Sequence, residues 1–184
     1  MTTHQTPDGA TTFGYLSAVE SAEHGFFGGY LLLSPLGRPL EFHCTAPIRP
    51  SRAQQILYGP TLQPYLLGEQ IAGTLLAKAQ LRPQLILTDQ PSVLCHRLQT
   101  VVPLVCLNSV NGDASSASEQ RFLVAGHWWE LPAGFAADRD RAVELLTALA
   151  EHVDLPEPFD RIHEAIREAQ RIGERGADAH GQAA

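Results

Sequence analysis

The sequence predicts an α/β or α+β domain: a mixed sheet of about five to seven strands that begins with a three-stranded antiparallel meander, helices packed on it, and two C-terminal helices. Three observations predict it. Residues 12–89 read as three strand-like runs, a long helical pattern and a short buried strand. Two apolar stripes at helical spacing close the chain within 138–174. A length of 184 residues, 44% of them hydrophobic and 18% charged, suits one ordinary core. The organisation expected is a flexible N-terminus over 1–10, a single domain over 11–175 and a flexible tail over 176–184.

The elements follow in order. Residues 13–20 are strand-like, and 26–33 are apolar on both faces, as in a central strand. Within the second run Gly28-Gly29 lacks the context of a phosphate-binding loop and points instead to a close backbone approach. After the turn residues of 34–39, the third run alternates Leu40, Phe42 and Cys44 against Glu41, His43 and Thr45, which predicts an apolar inner face and a polar outer one. Pro47 and Pro50 end it.

Ser51 caps a short helix broken at Gly59-Pro60, and Thr61 is placed to cap a longer one reaching about Gln80. The stripe of that helix runs Leu62, Tyr65, Leu66, Glu69, Ala72, Gly73 and Leu76. Glu69 is its anomaly. Residues 85–88 form a buried strand ending at Asp89, 90–99 a crossover turn or short helix, and 101–107 another strand. A loop rich in Gly, Ser, Asn and Asp over 108–120 leads to strands at 121–124 and 127–131, expected as a hairpin with the strand before them. The closing helices carry Ala142, Leu145, Leu146, Leu149 and Val153, then Phe159, Ile162, Ile166 and Ala169.

Composition narrows the partners. Twenty acids against thirteen bases, of which Lys78 is the single lysine, leave a net charge of −7 and no basic run. Nucleic-acid binding is therefore disfavoured, and a protein partner or homo-oligomer is expected. Cys44, Cys95 and Cys106 are odd in number and lack CxxC spacing, which suits reduced thiols in a cytoplasm. Nothing resembles a signal peptide or a membrane span.

Four groupings of residues bear on chemistry. His43-Cys44 and Cys95-His96 offer zinc-ligand types, but neighbours on a strand face opposite ways. Cys95 could serve as a nucleophile if His43 or His127 approached it, the basis of a thiol or thioester enzyme. Trp128 and Trp129 point to opposite faces of a strand, and one of them is a candidate partner-binding residue. The last grouping joins Glu69 to Asp89. The helix descends about 16 Å from Glu69 at ~1.5 Å per residue, and the strand climbs about 16 Å back to Asp89. The two carboxylates would end at one height, able to share a divalent cation.

The meander, the helix bearing a glutamate and the strand ending in Thr88-Asp89 together resemble the ribonuclease H-like superfamily over roughly 13–107. That resemblance implies two metal ions held by carboxylates for phosphodiester hydrolysis, with Mg²⁺ or Mn²⁺ as cofactor. It transfers the metal-ligand role to Glu69 and Asp89, and a catalytic role to both together with Glu20. The family's first-strand acid lies inside the strand, whereas Glu20 falls at the end of this one. Asp138 and Asp140 are the nearest acids for the last position.

Two function classes result, and whether the chain is an enzyme is left open between them. The principal reading is a non-catalytic accessory or scaffold subunit of a bacterial-type cytoplasmic assembly, docking through Trp128, Trp129 and the charged C-terminal helices. The alternative is a metal-dependent phosphodiesterase or nuclease of ribonuclease H-like fold. The Cys95 enzyme is a second alternative.

Overall fold

The computed structural model describes residues 11–108 and 120–181, with side chains through 171. The expectations for 1–10, for most of the 108–120 loop and for 182–184 lie outside the described residues. Among the described residues, seven strands form one sheet in the order β3-β2-β1-β4-β5-β7-β6. They are β1 Phe13–Ser21, β2 Gly25–Leu33, β3 Pro39–Cys44, β4 Leu85–Thr88, β5 Leu104–Asn108, β6 Arg121–Val124 and β7 His127–Glu130.

The first three strands are the antiparallel meander, and β4 then enters on the far side of β1, parallel to it, with Leu87 beside Tyr15. Parallel strands need a crossover. It consists of α1 Arg52–Tyr58, a π-helical segment Pro64–Ile71 and α2 Ala72–Lys78. Ser51 caps α1 through a reciprocal capping box with Gln54. β5 lies parallel to β4 after a 3-10 helix over Pro91–Leu98.

Helices α3 Arg139–Ala150 and α4 Glu157–Gly181 close the chain. The 176 boundary expected for a flexible tail thus falls inside α4. Among the described residues no helix is long and apolar enough to cross a membrane.

The sheet has a core on each face. On one, Leu146, Leu149, Phe159 and Ile162 of α3 and α4 pack on Tyr15, Leu31, Leu87 and Trp129. On the other, Leu67, Ile71 and Leu75 pack on Leu16, Tyr30, Leu32 and Ile86. Alternation along each strand sorts side chains between the two. Gly28 and Gly29 serve one face each. A Cβ at Gly28 would lie 2.1 Å from Cγ2 of Ile71, and one at Gly29 2.4 Å from Cγ2 of Ile162. These glycines bring both helical layers onto β2, the close approach expected of them.

Three expectations change. β3 is reversed: Leu40 and Phe42 are 37% and 40% exposed, Cys44 is exposed, and Glu41, His43 and Thr45 face inward. The reason is a polar task on the inner side. The Glu41 carboxylate accepts the backbone N–H groups of Gln80 and Leu81 at 3.0 and 2.7 Å, where the chain leaves α2. Thr45 Oγ1 accepts from Gly28 N–H at 3.0 Å.

The crossover helix is not α-helical throughout. In the π segment the N–H of Ala72 reaches the carbonyl of Leu67, five residues back, and the wider turn puts a stripe drawn at 3.6 residues out of phase. The buried set becomes Leu66, Leu67, Gly68, Ile71, Ala72 and Leu75, and Glu69 is exposed. The anomaly on the stripe disappears.

The last hairpin joins β6 to β7 rather than β6 to β5. Ala125 and Gly126, at φ 51° and 79°, form the two-residue turn that closes β6 on β7. This makes β7 the inner strand and buries Trp129 completely, with Trp128 half-buried. The pair Trp128/Trp129 expected as a docking edge is therefore divided between the core and the rim of the sheet.

Candidate functional site at the end of β4

Asp89 follows directly on β4, at its carboxyl end, where open α/β sheets bind ligands. The parallel register sets Leu16 beside Thr88, so the next pair along brings Ser17 of β1 against Asp89. Ser17 shares the face of Phe13 and Tyr15, which is the face covered by α4. The Ile162 and Ile166 stripe turns His163 of α4 towards the same point.

The three side chains close a triangle. Ser17 Oγ donates to Asp89 Oδ1 at 2.6 Å and lies 2.8 Å from His163 Nε2. Nε2 is 3.3 Å from Asp89 Oδ2. Ser17 is 0% exposed, whereas the Asp89 and His163 side chains are 17% and 25% exposed. The carboxylate and the imidazole are the groups a ligand can meet, with the hydroxyl behind them.

Burial pushes the Asp89 carboxyl upward from its ordinary value, opposed by the Ser17 hydrogen bond, the His163 charge and the Gln90 side chain. Next to it, burial and then the Asp89 charge push the Cys106 thiol up to about 12, so that thiol stays protonated.

Two proton arrangements satisfy the triangle. With Asp89 ionised and His163 an imidazolium, Nε2–H donates to Ser17 Oγ and Ser17 O–H donates to Asp89. With both groups neutral, the Asp89 O–H donates to Oγ and the Ser17 O–H donates to Nε2. The two differ by the positions of two protons about one oxygen and carry the same net charge. This is not the geometry of a serine nucleophile. Ser17 is buried, and the carboxylate meets the same ring nitrogen as the hydroxyl rather than the opposite one.

The other expected residues lie elsewhere. Glu69 is exposed on the π segment, which packs on the opposite face of the sheet, and its charge acts on Tyr58 and Cys95. Equal height along the strands said nothing about the side of the sheet. Glu20 is exposed at the end of β1, and alternation puts it on the face away from Ser17. Asp138 is engaged by Arg97, Nε to Oδ2 at 2.7 Å. Among the described residues no three His, Cys, Asp or Glu side chains converge as a metal-holding group. Glu20, Glu69 and Asp89 are thus not brought together. A two-cation centre needs several convergent carboxylates, so the triangle does not fit Mg²⁺ or Mn²⁺ chemistry of that kind.

The thiol groupings separate likewise. The Cys95 Sγ donates towards the carbonyls of Ser92 and Pro64 at 3.2 and 3.5 Å, and burial raises its pKa, the reverse of an activated thiolate. His43 pairs with Glu41 at 3.1 Å and His127 faces Asp154 at 3.9 Å, so neither approaches Cys95. His96 Nδ1 lies 2.9 Å from the Gly68 carbonyl.

Sequence reasoning missed Ser17 and His163. Ser17 did leave a signal, as a lone hydroxyl on the face of Phe13, Tyr15 and Val19. His163 adjoins the Ile162 stripe and reads as a boundary residue until its partner 146 positions away is known.

No family model matches the sequence, and no curated protein matches it. Among solved structures the fold is similar to human ENDOV, with 15% identity, 91% of this chain and 87% of that one covered, and a TM-score of 0.51. The catalytic domain of human Endonuclease V is similar at 14% identity, with 89% and 85% covered and a TM-score of 0.46. Ciona intestinalis Endonuclease V, in complex with a 23mer DNA containing an inosine followed by a ribo-adenosine, matches at 15% identity and a TM-score of 0.36. There 55% of this chain is covered, and it spans 47% of the other chain's length. Likeness at such identity is one of fold, and at that level it fits the ribonuclease H-like resemblance.

One expectation is overturned. A protein partner had been preferred and nucleic acid disfavoured, whereas the Ciona intestinalis Endonuclease V structures stand in complex with DNA. Net charge sums the whole chain, and half of the acids lie within 138–174, whereas a binding face is local.

Proposed function

We propose that this chain acts on nucleic acid as a phosphodiesterase, with Asp89 and His163 as the groups that meet the substrate. The observation that carries this reading is the partly exposed carboxylate and imidazole, 3.3 Å apart, at the carboxyl end of β4. A fold similar to human ENDOV supports it. His163 would move a proton to or from an oxygen of the phosphodiester or its attacking water through its other ring nitrogen, Nδ1, while Asp89 and Ser17 hold the ring at Nε2. No step is assigned to a divalent cation.

A second reading has its own observation. The β1 residue facing Asp89 is a neutral hydroxyl, which favours binding of nucleic acid without cleavage. One experiment separates them. The full chain is incubated with end-labelled single- and double-stranded DNA and RNA, with and without an inosine, in Mg²⁺, Mn²⁺ or EDTA, and binding is followed by fluorescence anisotropy. Cleavage that disappears in His163→Ala supports the first reading. Binding without cleavage supports the second, and neither binding nor cleavage removes both.

A further inference from the structure

We propose that Ser17 is a positioning residue that joins Asp89 and His163 into one proton-sharing pair and thereby closes the site to divalent cations. The proposal deepens the reading above and takes from it only the location of the site.

The geometry supplies the argument. Each oxygen of Asp89 already has a partner, Oδ1 the Ser17 hydroxyl at 2.6 Å and Oδ2 the His163 ring at 3.3 Å. A hard cation such as Mg²⁺ demands near-ideal octahedral oxygen ligands at about 2.0–2.1 Å. To sit on Asp89 it would have to share an oxygen already engaged by one of these partners, and among the described residues no group of three His, Cys, Asp or Glu stands ready to hold it. The strand that could supply an acid supplies Ser17, wholly buried and 2.8 Å from Nε2.

Burial turns the hydroxyl into a fixed bridge. A solvent-exposed serine would exchange its partners for water, but Ser17 has none within reach at 0% exposure. The carboxylate and ring are therefore oriented before any ligand arrives. Around them lie the Cys106 thiol from β5, with Glu130 beyond it, and on α4 the exposed Asp160, Glu164 and Arg167. None of these is a further partner of Asp89 or His163 by hydrogen bond or ion pair.

The test uses the full chain and two readouts independent of cleavage. The first is the NMR resonance, at neutral pH, of the proton held between His163 Nε2 and Ser17 Oγ. The wild type and Ser17→Thr should show a hydrogen-bonded, slowly exchanging resonance, and Ser17→Ala should exchange about tenfold faster or more. The second is Mn²⁺ binding by electron paramagnetic resonance. The wild type should show no saturable uptake that Asp89→Asn abolishes, and Ser17→Asp should bind Mn²⁺ roughly tenfold or more tightly than the wild type.

Unchanged exchange in Ser17→Ala overturns the proposal, as does stoichiometric Mn²⁺ on the wild type that Asp89→Asn removes. Should Ser17→Asp fail to fold by circular dichroism, the Ala and Thr variants decide alone. A wild type that binds no nucleic acid removes the proposed function and leaves both readouts standing.

Discussion

The ring Nδ1 of His96 lies 2.9 Å from the carbonyl oxygen of Gly68, inside the π-helical segment that carries Glu69. His96 is 5% exposed, and a Cβ on Gly68 would meet Cys95 Sγ at 2.2 Å. The 3-10 helix and the π segment are therefore held together by the imidazole hydrogen bond, the Cys95 Sγ bond to the Pro64 carbonyl and close packing at Gly68. π turns leave carbonyls poorly satisfied along the helix, and this histidine supplies a donor to one of them.

A pH dependence follows from that contact. Burial lowers the His96 pKa, with the Gly68 bond opposing. Its folded value lies below its unfolded one, so the unfolded chain binds the proton more readily and stability rises with pH between the two. The contribution is complete above the ordinary histidine value near about 6.5 and is lost as pH falls through the depressed one. Thermal melts from pH 8 down to pH 5 should therefore show the wild type falling relative to His96→Asn. Parallel curves for the two proteins would remove His96 as the cause.

The reversed face of β3 gives an unusual ranking of substitutions. Glu41 is 12% exposed and accepts two backbone N–H groups, so Glu41→Ala should cost about 1.5–3 kcal/mol in urea unfolding. Phe42, 40% exposed on the outer face, should cost about 1 kcal/mol or less as Phe42→Thr. An ordinary apolar-inside strand would give the opposite order.

Gly28 is specified by space. Gly28→Ala drives a methyl into Ile71 Cγ2 and should destabilise by about 1–3 kcal/mol. In the double variant with Ile71→Ala the losses should sum to less than the two singles, because the smaller side chain makes room. Simple additivity in chemical denaturation would argue that the clash is relieved elsewhere.

If cleavage is found, His163→Ala should lower kcat by about 10²–10⁴-fold, with circular dichroism checking that the fold is retained. Asp89→Asn should also lower kcat, with little change in KM, because the amide no longer offers Ser17 and the ring a carboxylate to hold them. A rise in KM alone for either variant would assign the pair to binding rather than to proton transfer.

Much of this architecture was legible locally. The meander, the Ser51 cap, the β4 strand ending at Asp89 and the two closing helices each depend on periodicity or on turn and cap chemistry within a few residues. The close approach at Gly28-Gly29 was legible too, because a glycine pair inside an apolar strand has few other uses. The misreadings also have physical causes. The Glu69 stripe failed because a π turn changes the period in mid-helix, and β3 failed because its inner side must satisfy the end of α2.

What the sequence by itself determined is the set of elements and the place of one acid, Asp89, at the end of its strand. Only the tertiary structure decided which residues Asp89 meets. Ser17 and His163 lie 72 and 146 positions from their partners in the triangle, and nothing local encodes that distance. Periodicity says that side chains alternate, but the choice of sheet face comes from which helix packs where. That choice set Glu69 on one side and Asp89 with His163 on the other.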